Sequence, residues 1–171
     1  DLRPFFPRKI EEGRIEDIRE CIGCNICVSG DWTQSPIRCT QNPTMGEEWR
    51  RGWHPEIIEQ RGESEKVLVV GAGPAGLEAA MSLGQRGYEV ALADSGDGGG
   101  RAVCESGLPG LASYKRVSDY RVGQITKLAN VSFFPGSEMD RASVLEFGAD
   151  QVLIATGARW RDDGLGRATH A

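Results

Sequence analysis

The chain has 171 residues, enough for one sizeable core, and the composition of an ordinary globular protein. Its 20 Lys and Arg against 25 Asp and Glu give a formal charge of −5, which argues against nucleic acid or an anionic membrane surface as a partner. No stretch approaches the roughly 18 consecutive apolar residues of a membrane-spanning helix, so no membrane association is expected.

The first residue is Asp1 rather than Met, which reads as a processed terminus or, in better accord with the other end, a segment of a longer chain. Residues 1–62 are irregular, holding Pro4, Pro7, Pro36, Pro43 and Pro55 and three of the four Trp. One short helix is expected inside them, around Glu16 to Cys21. Four of the five cysteines fall here, spaced Cys21-x2-Cys24-x2-Cys27-x11-Cys39. Three thiolates two residues apart can wrap one face of a cubane, and a remote fourth completes the set of a [4Fe-4S] cluster. Gly23 and Asn25 suit tight turns of positive φ. Zinc is the main competitor, although its sites usually come as two separated C-x2-C knuckles. Plain or disulfide-linked cysteines are the third reading. Beside a Gly-rich α/β sequence, metal ligation is favoured over disulfides, and a cytoplasmic setting with it. Cys104, alone in a Gly-rich segment, reads as a small thiol without a redox role.

A charged linker, Arg61 to Lys66, precedes a change of character. Residues 63–171 read as an incomplete Rossmann-like FAD/ADP-binding unit with a parallel sheet, so the fold class is α/β with an irregular Cys-rich segment in front. Val67 to Val70 is a continuous apolar run, as in a strand buried on both faces. Ala75 to Gln85 predicts a helix ended by Gly87, and Val90 to Ala93 a second strand. Gly96 to Gly100 predicts a turn. A helix is expected over Ser113 to Leu128, with Tyr114, Val117, Ile125 and Leu128 on one face. Arg121 falls in the same stripe, so that face should be partly solvated or the arginine should snorkel. Val131 to Phe134 and Val152 to Ala155 read as strands, the latter buried, and Ser143 to Phe147 as a short helix.

Gly71-Ala72-Gly73-Pro74-Ala75-Gly76 follows the first strand and opens the helix, the context that gives a G-x-G-x-x-G match its force. Gly71 permits the turn, Gly73 lets the backbone approach a pyrophosphate, and Gly76 lets helix and strand pack closely. The helix N-terminus offers unpaired N–H groups to the phosphates. Asp94, with Ser95 beside it, closes the second strand where a carboxylate can bind ribose hydroxyls, favouring ADP, FAD or NAD over NADP. Gly100 and Arg101 stand where flavin-type domains bring more glycine near the phosphates, and Thr156-Gly157 resembles the strand end that closes the same site. Arg101 reads equally as a solvated surface arginine.

With these residues in place, the chain resembles the trimethylamine, dimethylamine and histamine dehydrogenases and, further off, 2,4-dienoyl-CoA reductase. The resemblance rests on Cys21 to Cys27, Cys39 to Pro43, Gly46-Glu47-Glu48, Arg51-Gly52-Trp53-His54-Pro55, Val67 to Asp94, Asp119-Tyr120-Arg121, Gln124 to Leu128, and Ala155 to Trp160. It implies a parent flavoprotein in which an old-yellow-enzyme-type barrel with FMN and the catalytic groups precedes Asp1, and a further domain follows near Ala171. It implies Cys21, Cys24, Cys27 and Cys39 as cluster ligands, and Gly71, Gly73, Gly76 and Asp94 as the holders of ADP or FAD. The activity implied is amine oxidation at FMN, with electrons passing through the cluster to an electron-transferring flavoprotein. Trp160 and Thr169-His170 lean the same way. The alternatives are an NAD(P)H-dependent enoyl/dienoyl-CoA reductase and a non-catalytic cluster- and nucleotide-binding module. No general base or nucleophile can be argued within the 171 residues, and His54 reads as structural. The isolated stretch is expected to be inactive, and the parent to be a homodimer.

Overall fold

A computed structural model describes residues 5–47, 58–61, 65–158 and 163. Residues 48 and 51–55, Trp160 and Thr169-His170, all singled out above, lie outside the described residues.

Four parallel strands make the framework: β1 (Lys66–Val70), β2 (Glu89–Ala93), β3 (Val131–Phe134) and β4 (Gln151–Ile154), in the order β3-β2-β1-β4. The apolar run of β1 sits between two neighbours, and its alternate side chains enter two different cores. Val67 and Val69 pack with Leu77, Ala80 and Met81 of α3 (Pro74–Gln85), with Val90 and Leu92 of β2, and with Ile125 of α5 (Arg116–Ile125). Leu68 and Val70 pack with Ala91 on the opposite face, beneath Met139 and the residues around α6 (Arg141–Glu146). The result is a three-layer α/β sandwich whose central strand is closed from both sides.

The sequence expectations for β1, α3, β2 and β3 hold, and α6 begins slightly before Ser143. The expected helix over Ser113 to Leu128 divides into a 3-10 turn (Ala112–Lys115) and α5. The strand β4 forms, but its four side chains are exposed, with Ile154 at 65 %. It was expected to be buried. As the outermost strand it pairs with β1 alone, and no described element covers it.

Before the sheet, α1 (Phe6–Glu11) and α2 (Ile26–Trp32) flank an irregular stretch. The helix expected at Glu16 to Cys21 is a single 3-10 turn, Ile15–Asp17, after which Ile18 is extended (φ −84°, ψ 115°). Tethers to distant residues win over local propensity here. Lys9 Nζ donates to the Asp17 carbonyl at 2.9 Å, and the Arg19 guanidinium donates to the Gln41 carbonyl.

Candidate functional site

The glycine loop lies where β1, β2 and β4 end. The chain leaves β1 for β2 on one side and returns to β4 on the other, so the carboxyl ends of β1 and β4 flank a topological switch point. That is where open α/β sheets bind their ligands. Gly71 has φ 102°, and a Cβ there would strike the Ala155 carbonyl at the end of β4. A Cβ on Gly76 would collide with the Gly71 carbonyl oxygen, so helix and turn are packed as closely as glycine allows. Gly73 differs from both. Its φ is −71°, and nothing lies within 4 Å of the point its Cβ would occupy. The backbone is open there, as an approaching phosphate requires. Pro74 and Ala75 form the first turn of α3.

Asp94 ends β2 with one carboxylate oxygen accepting the Ala72 N–H at 2.6 Å and the other accepting the Gly96 N–H at 2.8 Å. Each oxygen keeps a second lone pair for a ribose hydroxyl. The Gly99 N–H donates to the Ala72 carbonyl at 2.7 Å, binding the second glycine run to the first. Gly98, Gly99 and Gly100 all have positive φ, and the turn expected over Gly96 to Gly100 leads directly into a helix with no sequence counterpart, α4 (Gly100–Ser106). Thr156 and Gly157 are exposed just beyond β4, and the Thr156 nitrogen approaches Gly71. Ser95 is exposed beside Asp94. Arg101 pairs with Glu105 one turn along α4 at 2.7 Å, with over half of its side chain exposed. The structure therefore gathers Gly71–Gly76, Asp94, Gly100 and Thr156 at one end of the sheet, and gives Arg101 a surface ion pair.

The cysteine segment lies across α4 and α5. Ile22 is buried with Ala102 and Val117, and Cys24 and Tyr114 pack against them. Ser113 Oγ donates to the Ile22 carbonyl at 3.0 Å and Arg116 to the Cys21 carbonyl at 2.9 Å. Gly23 (φ 71°) and Asn25 (φ 57°) adopt the left-handed turn conformations expected of them. All five cysteines are free thiols, none fully buried. Cys104 is exposed on α4.

Cys24 and Cys39 line one cavity of about 510 Å³, together with Ile22, Ala75, Tyr114 and Arg121. The Cys24 sulfur is 3.1 Å from the Thr40 hydroxyl, so the remote fourth cysteine is delivered next to the second. Cys21 opens onto a neighbouring hollow of about 920 Å³ lined by Phe6, Ile10 and Ile18. Among the described residues, no three Cys, His, Asp or Glu side chains stand together as a metal-ligand group. The donor chemistry nevertheless suits a thiolate-bound metal. The Cys21 sulfur accepts the Gly23 N–H at 3.4 Å, and the Cys39 sulfur accepts the Gln41 N–H at 3.3 Å. Burial pushes the Cys24 thiol up, but the Thr40 hydroxyl and nearby backbone N–H groups outweigh it and hold the thiol below its ordinary value.

Arg121 is the residue the sequence placed wrongly. It neither faces solvent nor snorkels. Its side chain is 4 % exposed, it meets Glu78 of α3 at 2.7 Å, and it donates to the Gln41 side-chain carbonyl at 3.0 Å and to the Val117 carbonyl at 2.7 Å. Burial lowers its pKa and Glu78 opposes that shift; a guanidinium remains charged in either case. Arg19 reaches the same carboxylate at 3.6 Å and stacks over the Tyr120 ring at 4.8 Å. An arginine inside an apolar helical stripe was the one sequence signal of this network. Its partners, distant in the chain, could not be read.

A parallel sheet with a glycine loop and a strand-end carboxylate at its switch point defines a dinucleotide-type binding domain. The chain belongs to the pyridine nucleotide-disulphide oxidoreductase family, whose pattern matches residues 65–168, more than half of its length. Over 98 % of the chain it is 46 % identical to dimethylamine dehydrogenase of Hyphomicrobium sp. (strain x), covering 24 % of that protein. Over 91 % it is 37 % identical to an NADH oxidase of Thermoanaerobacter brockii, again covering 24 % of the relative. The solved structure of histamine dehydrogenase from Rhizobium sp. 4-9 superposes with a TM-score of 0.91 at 58 % identity, over 96 % of this chain and 24 % of that one. The chain thus spans about a quarter of the length of these relatives. Among the described residues no helix is long and apolar enough to cross a membrane.

Proposed function

We propose that this chain is the electron-relay and adenine-nucleotide-binding part of an amine dehydrogenase flavoprotein. The observation that carries the reading is the seating of the cysteine segment on the nucleotide-binding unit, with Cys24 and Cys39 lining one cavity beside the first turns of α3. The similarity to dimethylamine and histamine dehydrogenases supports amine oxidation over the reductase alternative. Cys21, Cys24, Cys27 and Cys39 would hold a [4Fe-4S] cluster, which when bound supplies single-electron transfer.

The residues of this chain bind and orient. Ser113 and Arg116 hold the carbonyls of Ile22 and Cys21, so the cysteine loop keeps its position on α5. Gly73 and the first turn of α3 present backbone N–H groups to the pyrophosphate of ADP or FAD, and Asp94 accepts the ribose hydroxyls. Substrate oxidation belongs to FMN outside this segment, with an amine as reductant and an electron-transferring flavoprotein as acceptor.

The test uses the full-length protein. About four iron atoms per chain, an adenine nucleotide released by acid, and bleaching by a small amine but not by NADH are expected. Zinc in place of iron would overturn the relay. Bleaching by NADH alone would favour the reductase.

A further inference from the structure

The cavity that holds Cys24 and Cys39 has a charged wall. Arg121 lines it, is 4 % exposed, and touches both halves of the molecule. Its guanidinium donates to the side chain of Gln41, two residues beyond Cys39, and to Glu78 on the helix that opens with the glycine loop. Gln41 is itself 4 % exposed, so the Arg121–Gln41 end of the bridge is buried, while the Glu78 side chain is 25 % exposed. Arg19 shares the Glu78 carboxylate. Two cations against one anion leave this group with a net positive charge, and the buried Arg121 guanidinium is screened less than a surface charge would be.

We propose that Arg121 is a positioning and potential-setting residue for the cysteine-bound centre, an inference that rests on the cluster reading above. Through Gln41 it fixes the Cys39 loop against α3. Through its charge it stabilises the more negative, reduced state of the centre and so raises its reduction potential. Glu78 acts with the opposite sign. A purely structural bridge would make loss of either partner loosen the loop in the same way. A charge effect makes the two losses move the potential in opposite directions.

The experiment is a redox titration of the centre in the full-length protein, followed by electron paramagnetic resonance, for the wild type, Arg121→Gln, Arg121→Lys and Glu78→Gln. Iron and acid-labile sulfide are measured on every sample. The Arg121→Gln protein is expected to show a lower potential, with the ratio of reduced to oxidised centre at fixed poise falling about tenfold, which for one electron is about 59 mV. Glu78→Gln is expected to shift it upward, and Arg121→Lys, which keeps the charge, to stay near the wild type. If Arg121→Gln does not fold, the upward shift in Glu78→Gln still decides. Iron-loaded variants with unshifted potentials, or with both shifts of one sign, overturn the proposal while leaving the cluster reading intact. Wild-type protein without iron overturns the cluster reading and this proposal together.

Discussion

The Asp94 carboxylate accepts the Ala72 N–H at 2.6 Å, so the end of the second strand is fastened to the glycine loop that follows the first. One side chain therefore shapes the loop and, in the function proposed above, would also hold the ribose. Asp94→Asn would turn an amide N–H toward a backbone N–H at one of the two contacts, and Asp94→Ala would remove both acceptors. Each is expected to cost about 1–3 kcal/mol of stability and to weaken ADP binding at least about tenfold. Chemical denaturation and calorimetry with ADP measure the two effects, and wild-type affinity in Asp94→Asn would rule out the ribose role.

Gly73 and Gly76 separate stability from binding. Gly76→Ala drives a methyl group into the Gly71 carbonyl and is expected to destabilise by about 1–3 kcal/mol. Gly73→Ala meets no atom and needs no unusual φ, so stability should change by less than about 0.5 kcal/mol. Its methyl group occupies the space a phosphate needs, and ADP affinity should fall. Equal melting losses in both variants would refute this division.

Asp17 gives the docking of the cysteine segment a pH dependence. A hydrogen bond from Lys127, at 2.5 Å, is the largest of the effects that hold its carboxyl down from 3.8 to about 2; Gln124 and Arg14 add to it and burial opposes it. A depressed folded-state value means stability that is present above about pH 4 and lost as pH falls through about 2. With solvent screening the contribution is on the order of 1 kcal/mol. Acid titration of stability in Asp17→Asn should be flatter than in the wild type between these limits. Parallel curves would remove Asp17 from the account.

The sequence disclosed what is local and missed what is not. Val67–Val70, the loop Gly71–Gly76 and helix α3 each carry their pattern in a dozen residues or fewer, and the structure reproduces them. Helix α4 went unread because Gly98-Gly99-Gly100 looks like a turn and nothing more. Arg121 was misplaced because its partners are Glu78, 43 positions away, and Gln41, 80 away. The exposure of β4 was missed because an apolar run records what a strand can pack against, and is silent on what lies beside it.

Cys39 and Cys104 should respond differently to the same change. Cys39→Ser is expected to lower iron content well below half of the wild-type value, since Cys39 lines the cavity with Cys24 and its sulfur is already supported by the Gln41 N–H. Cys104→Ser, on the exposed helix α4, should leave iron unchanged. Iron analysis of purified full-length variants decides, and equal iron in both would exclude Cys39 as a ligand.

Helix α3 grips in two directions, with its first turn closing the glycine loop and Glu78, one turn further on, holding the arginines beneath the cysteine loop. The loop brings little core of its own beyond Ile22, whereas the sheet is buried through Val67, Val69 and Leu92. The arm therefore borrows its stability from the sheet layer: a change that loosens α3 should free the cysteine loop before it disturbs the strands, and protease should reach the loop first.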